Sequence, residues 1–221
     1  MYRIHPVPLD IVRVILTASE FFPDETFVDD KVMDMSLKRI KRGINPHADR
    51  LLDWILHGCG DALRNKYLES VSLGIFTDVE KPEAVVETYT LNFSYPTSPD
   101  HEMVRNVRQG SLSLTMKTAK GKETAILPPE NEGFGQQIVR ILRTLCIMIQ
   151  TLKCLPSKKY ASMQMTYYDE LTPTSYEPPG FAPGVFDVNY LFAGKTFKHD
   201  FGFITSSFHR YSECTVGSRN L

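Results

Sequence analysis

Near its start the chain places apolar residues three and four positions apart. Leu9, Val12, Ile15 and Leu16 predict a short helix ending at Phe21-Phe22, because Pro23 disfavours helical backbone in the residue before it. A helix of about a dozen residues is marginal alone, so it must dock on a larger body. Residues 29–42 read as a second short helix with Val32, Met33, Met35, Leu37 and Ile40 on its apolar face. Lys38, Arg39, Lys41 and Arg42 followed by Gly43 suit the C-terminus of such a helix. Asn45 as N-cap and Pro46 at the first helical position open a stronger helix. Leu51, Leu52, Ile55, Leu56, Cys59 and Leu63 carry it to near Tyr67.

The period then changes to two. Val71, Leu73 and Ile75, then Val85, Tyr89, Leu91, Phe93 and Tyr95, predict two strands joined as an antiparallel hairpin through residues 78–83. Leu112, Leu114 and Met116 predict a third strand, ended by a turn at Lys120-Gly121. Ile138, Ile141, Leu142, Leu145, Ile149 and Leu152 form the stripe of a longer helix. Val139, Ile147 and Met148 widen that stripe and place the helix in the middle of the molecule. Tyr160 to Asp169 alternates again. Ala161, Met163, Met165 and Tyr167 lie on one face, with Ser162, Gln164, Thr166 and Tyr168 on the other. Leu171 to Gly184 holds four prolines and two glycines and breaks regular structure. The aromatic segment beyond it, with Tyr190, Phe192, Phe197, Phe201 and Phe203, is too apolar for a disordered tail and should pack as weak strands on a tether.

Composition narrows the function. In 221 residues, 25 Lys and Arg balance 26 Asp and Glu, so no global field draws in nucleic acid or an anionic membrane. Four cysteines without a CxxC pair are too sparse for a disulfide scaffold and fit the reducing nucleus or cytoplasm. No apolar run reads as a signal peptide or membrane span. Gly133-Phe134-Gly135 lacks the remaining residues of a phosphate loop, the six histidines show no metal-ligand spacing, and Gly110-Ser111 sits in a strand pattern without a nucleophile elbow. The run Lys38 to Arg42 has the charge to touch a phosphate backbone, so direct DNA contact stays open there. A regular strand beside a Pro/Gly-rich tether and an aromatic end favours binding over catalysis.

Three stretches go further: Gly60 to Leu68, Glu87 to Tyr95, and Met165 to Pro173. Together with Tyr176-Glu177-Pro178-Pro179-Gly180-Phe181 they resemble the HORMA domains of meiotic chromosome-axis proteins, in the same order from about Ile11 to Phe208. The resemblance implies one α+β domain over residues 1–221, with three main helices packed on an antiparallel sheet. Its core would span 1–171 and a C-terminal safety belt 172–221, wrapping to about Tyr211. It implies capture of closure-motif peptides from axis-core or cohesin-associated proteins, each added as a strand beside Tyr160 to Asp169. The candidate contacts are Met163, Gln164, Met165, Thr166 and Tyr167 on the sheet, and Phe181, Tyr190 and Phe192 on the belt.

The same resemblance implies a nuclear adaptor on meiotic chromosomes, with no cofactor or metal and no enzymatic activity. It would support double-strand break formation, homologue pairing, synapsis and recombination, and be released by an AAA+ remodelling ATPase. Such proteins also self-assemble through a tail carrying its own closure motif, a segment not found before Leu221. A spindle-checkpoint or DNA-repair adaptor keeps the fold and changes the task. A small α+β enzyme with its site at the 171–184 loop is the rival of another class.

Overall fold

The computed structural model describes residues 7–95, 110–119, 123–125, 132–152, 154–184, 190–192 and 194–206. Helix α1 (Val7–Ala18) is buried along residues 7–16, far more than a single amphipathic stripe needs. Inside it Arg13 pairs with Asp10 at 3.0 Å, and Arg13 and Arg39 both approach Asp30, at 3.7 and 3.4 Å. Burial pushes the Arg13 guanidinium pKa down, while Asp10 and Asp30 pull it back up.

The helix expected over 29–42 is instead a hairpin, β1 (Phe27–Val32) and β2 (Met35–Ile40), paired from Phe27↔Ile40 to Val32↔Met35. Only Val32 and Ile40 are fully buried, and Met33 turns the chain at φ 53°. The apolar spacing that read as helical also fits two short strands folded about residues 33 and 34. Lys38, Arg39 and Arg42 consequently cap no helix. They pair with Asp24, Asp30 and Asp53.

Asn45 accepts from the His47 and Ala48 amides at 3.0 and 3.3 Å and starts α2 (Pro46–Asp53). A π-helical stretch, Trp54–Cys59, leads into α3 (Gly60–Arg64). The strands β3 (Leu68–Phe76), β4 (Val85–Ser94) and β5 (Gly110–Thr118) follow as predicted, then β6 (Thr124–Ala125), α4 (Phe134–Thr151), β7 (Tyr160–Tyr167) and β8 (Phe197–Ser206). The six-stranded sheet runs β6-β8-β5-β4-β3-β7, antiparallel except for the short β6–β8 pair. This is the expected α+β architecture: α1, the α2–α3 run and α4 on a sheet. The expected turn at Lys120-Gly121 and the belt's far end at Phe208 and Tyr211 lie outside the described residues.

One sheet face carries the core. Val71, Leu73, Ile75, Tyr89, Leu91, Leu112, Leu114 and Met116 meet Ile138, Ile141, Leu142 and Leu145 of α4 in one buried cluster. Ile147 leaves the predicted stripe, 61% exposed, so α4 is covered less completely than its sequence suggests. The other face is polar, its hydroxyls paired across strands: Ser70 with Thr166, Ser72 with Thr90 and Ser94 with Ser111, at 2.7–2.8 Å.

β8 is no weak appendage. It pairs with β5 along most of its length and buries Phe201 and Ile204 in the core. α4 fixes it further: the Gln137 side chain accepts from the Thr205 amide at 2.7 Å, and Arg140 donates to the Phe201 carbonyl at 3.2 Å.

Candidate functional site: the margin of strand β7 and the segment that follows it

β7 ends the sheet, and among the described residues β3 is the one strand it pairs with. The Tyr168 amide donates to the Tyr67 carbonyl at 2.9 Å, just beyond the last ladder pair. The one irregularity in this ladder adds a residue to β3, not to β7. Antiparallel alternation therefore turns the amides of Ser162, Gln164 and Thr166 toward β3 and those of Ala161, Met163 and Met165 toward the outer margin. Those outward groups offer a template for another extended chain.

The predicted sheet contacts divide between the two faces. Met163, Met165 and Tyr167 face the helices: Cys59 Sγ lies 3.7 Å from Met163 Sδ, and the Tyr167 ring meets Tyr176 edge-on at 5.6 Å. Burial raises the Cys59 thiol pKa to about 12, keeping it a protonated, apolar neighbour. Gln164 and Thr166 face the polar side, opposite Ser72 and Ser70. There Thr166, Ser70, Asn92, Ser94 and Ser113 help line an open depression of about 510 Å³.

The three predicted belt residues are likewise separated. Phe181 is on the helix side, its ring 6.3 Å from that of Trp54. It rests on Gly58, where any Cβ would collide with the ring. Tyr176 anchors the same stretch by donating to Asp61 at 2.7 Å, with its ring 4.9 Å from that of Tyr67. Burial, followed by the bond to Asp61, pushes the Tyr176 hydroxyl pKa up. The 171–184 loop, the place raised for an enzymatic site, thus rests on aromatic rings and one hydrogen-bonded carboxylate.

Tyr190 crosses the polar face. Its ring covers Gly74, and its hydroxyl lies 3.1 Å from Ser162 Oγ, 3.0 Å from the Ser162 carbonyl and 3.4 Å from that of Ser72. Leu191 then bridges to Ala84: its amide donates to the Glu83 carbonyl at 2.7 Å, and its carbonyl accepts from Val85 at 2.9 Å. Phe192 is half-buried. The chain thus leaves β7, docks on the helices, crosses the polar face and enters the sheet beside β5, on the side away from β7. Gly58, Gly74, Trp54 and Tyr176 escape a reading by pattern, because each matters only through a partner far along the chain. No group of three or more His, Cys, Asp or Glu suited to a metal occurs among the described residues.

Residues 11–209 match the family model for the HORMA domain. The chain is 33% identical over 190 residues to HORMA domain-containing protein 1 of Xenopus laevis, covering 85% of this chain and 44% of that protein. It is 29% identical over 189 residues to HORMA domain-containing protein 2 of Bos taurus, covering 85% and 57% respectively. The chain therefore spans about half the length of these relatives. In three dimensions it resembles C. elegans HTP-2 bound to HTP-3 closure motif 1, with a TM-score of 0.63 at 15% identity over 91% of this chain and 83% of that one. A sheet ending at β7, a C-terminal segment carried to its opposite side and a family match over nearly the whole chain agree: the chain belongs to the HORMA domain family.

Proposed function

We propose that this chain is a non-enzymatic adaptor of the meiotic chromosome axis, capturing an extended closure-motif peptide as a strand on β7 and holding it beneath the segment 172–211. The observation that carries this reading is the placement of β7 at the end of the sheet while the C-terminal segment adds at the other side. The solved HTP-2 neighbour bound to a closure motif supports the mode of binding. The run Tyr176 to Phe181 supports the meiotic branch over checkpoint and repair relatives. Partners are closure motifs of axis-core or cohesin-associated proteins. The adaptor acts on meiotic chromosomes in the nucleus, supporting double-strand break formation, homologue pairing, synapsis and recombination. An AAA+ remodelling ATPase acting on the N-terminal segment resets it.

The belt answers an energetic shortfall. An added strand of about eight residues gains roughly half a dozen backbone hydrogen bonds at about 0.5–1.5 kcal/mol net each. Ordering the same residues costs about 1–2 kcal/mol apiece. Side-chain burial must supply the difference, and a belt that opens before the peptide leaves slows dissociation. Met163, Met165 and Tyr167 would grip from the helix side, Gln164 and Thr166 from the polar side, with Phe181, Tyr190 and Phe192 holding the belt.

Fluorescence anisotropy with labelled synthetic peptides from axis-core and cohesin-associated proteins tests the proposal. Met165→Pro removes an outward amide while sparing the bonds to β3, so it should weaken capture at least tenfold with the circular dichroism spectrum retained. Equal binding by this variant, or no binding by any peptide to the unmodified chain, overturns the reading.

A further inference from the structure

Among the described residues, two fastenings of the segment after β7 share one construction: an aromatic ring seated on a glycine. Phe181 sits on Gly58 on the helix side, and Tyr190 sits on Gly74 on the polar face. A Cβ at Gly74 would stand 2.5 Å from the Tyr190 ring, and one at Gly58 would overlap Phe181 and crowd the Pro179 carbonyl, so neither seat admits any other residue unless the belt above it shifts. Gly74 has no left-handed φ that would itself demand glycine, and glycine inside a strand is otherwise a weakness. Its place in β3 is explained by the ring above it.

The two seats differ in what surrounds them. Around Phe181 are Trp54 at 6.3 Å, the buried Pro178, and Gly180 at φ 82° against the Trp54 ring. Tyr176 adds its bond to Asp61 and its edge-on contacts with Tyr67 and Tyr167. Among the described residues, Tyr190 is held by the two backbone bonds of Leu191, itself 59% exposed, and by the three contacts of its hydroxyl. That hydroxyl has a single hydrogen for two carbonyls, so it donates to one at a time, while Ser162 Oγ can donate to it. Further along, β8 is locked into the core by Phe201 and Ile204. Among the described residues the Tyr190 seat is thus the weakest fastening, between two strong ones.

We infer that the Gly74–Tyr190 seat is the releasable fastening of the belt, opening locally while the Phe181 seat and β8 stay docked. Tyr190 is then a positioning residue that closes the belt, not a contact of the captured peptide. This rests on the adaptor reading for its purpose, but its test needs no peptide, so failure of peptide capture and failure of this inference are separate results.

Hydrogen exchange on the full chain reads each fastening through its own amides. Those of Val85 and Leu191 report the Tyr190 seat, and those of Tyr176 and Phe181, bonded to the Pro173 and Pro178 carbonyls, report the other. In the unmodified chain the first pair should exchange at least about tenfold faster than the second, as expected of a local opening. Gly74→Ala should raise exchange of Val85 and Leu191 by a further factor of about ten and leave the β8 amides unchanged. Tyr190→Phe keeps the ring and loses the hydroxyl, so it should produce a smaller rise at the same two amides. Equal rates at the two seats overturn the inference. So does a Gly74→Ala chain with unchanged exchange at Val85 and Leu191, or one that loosens β8 and the Phe181 seat together with them.

Discussion

Glu87 is a carboxyl on the wrong side of its strand. It shares the core face of β4 with Tyr89, Leu91 and Phe93, is 5% exposed, and accepts from the Tyr89 hydroxyl at 2.8 Å. Burial raises its pKa, while the Tyr89 bond and the charge of Lys159 pull it back down. Because the folded value lies above the unfolded one, the folded chain binds more protons between the two. Stability therefore falls as pH rises through that window and stays reduced above it. Glu87→Gln keeps an acceptor for Tyr89 and removes the buried charge. The variant should melt a few degrees higher than the parent at pH 7, with the difference vanishing near pH 4. Thermal melts at the two pH values decide it: a lower melting temperature for the variant at pH 7 would show that the Tyr89 bond and the charge of Lys159 outweigh the burial.

Two helices end in the same way, and both endings are strained. At α1 the Phe21 amide donates to the Leu16 carbonyl and the Glu20 amide to Thr17. At α3 the Tyr67 amide donates to Ala62 and the Lys66 amide to Leu63. These are Schellman endings, whose penultimate residue takes the left-handed conformation that glycine adopts without cost. Here Glu20 and Lys66 occupy it, at φ 48° and 60°. Glu20→Gly and Lys66→Gly should each stabilise by about 0.5–1 kcal/mol, partly offset by the greater freedom of the unfolded chain. Urea denaturation of the single and double variants checks this, and a loss of stability at either site contradicts it. Pattern alone placed these helices well, since Asn45-Pro46 and Pro23 mark ends through local chemistry. It failed at β1–β2, where Val32, Met35 and Ile40 suit either a helix face or a short hairpin. The arbitrating feature is the turn at Met33, a residue with no turn signature. The π-helical stretch at Trp54–Cys59 was hidden for a related reason: an extra residue per turn barely disturbs the apolar spacing, yet it helps present Gly58 to Phe181.

At the scale of the molecule, the strands β3, β4, β5 and β7 are legible because alternation is local, and sheet order is not, because it depends on where distant segments meet. That Tyr160 to Tyr167 forms a strand followed from its own residues; that it ends the sheet follows from β8 crossing to β5. Pattern reads the aromatic segment as weak strands on a tether, whereas β8 is built into the core, and the difference bears on how the belt is tested. Removing residues 197–221 would take Phe201 and Ile204 from the core, at about 1.5–3 kcal/mol for each buried side chain. That loss compares with the whole stability of a typical domain, about 5–15 kcal/mol. It would also uncover the margin of β5, a strand edge prone to pairing with other chains. A chain ending at Thr196 should therefore elute as aggregate in size-exclusion chromatography, or melt more than ten degrees below the parent. Loss of peptide capture in it would then report a broken core, not a missing belt. A monomeric truncated chain with an unchanged melting temperature would instead make β8 a detachable strap, and would move the strong end of the belt back to Phe181 alone.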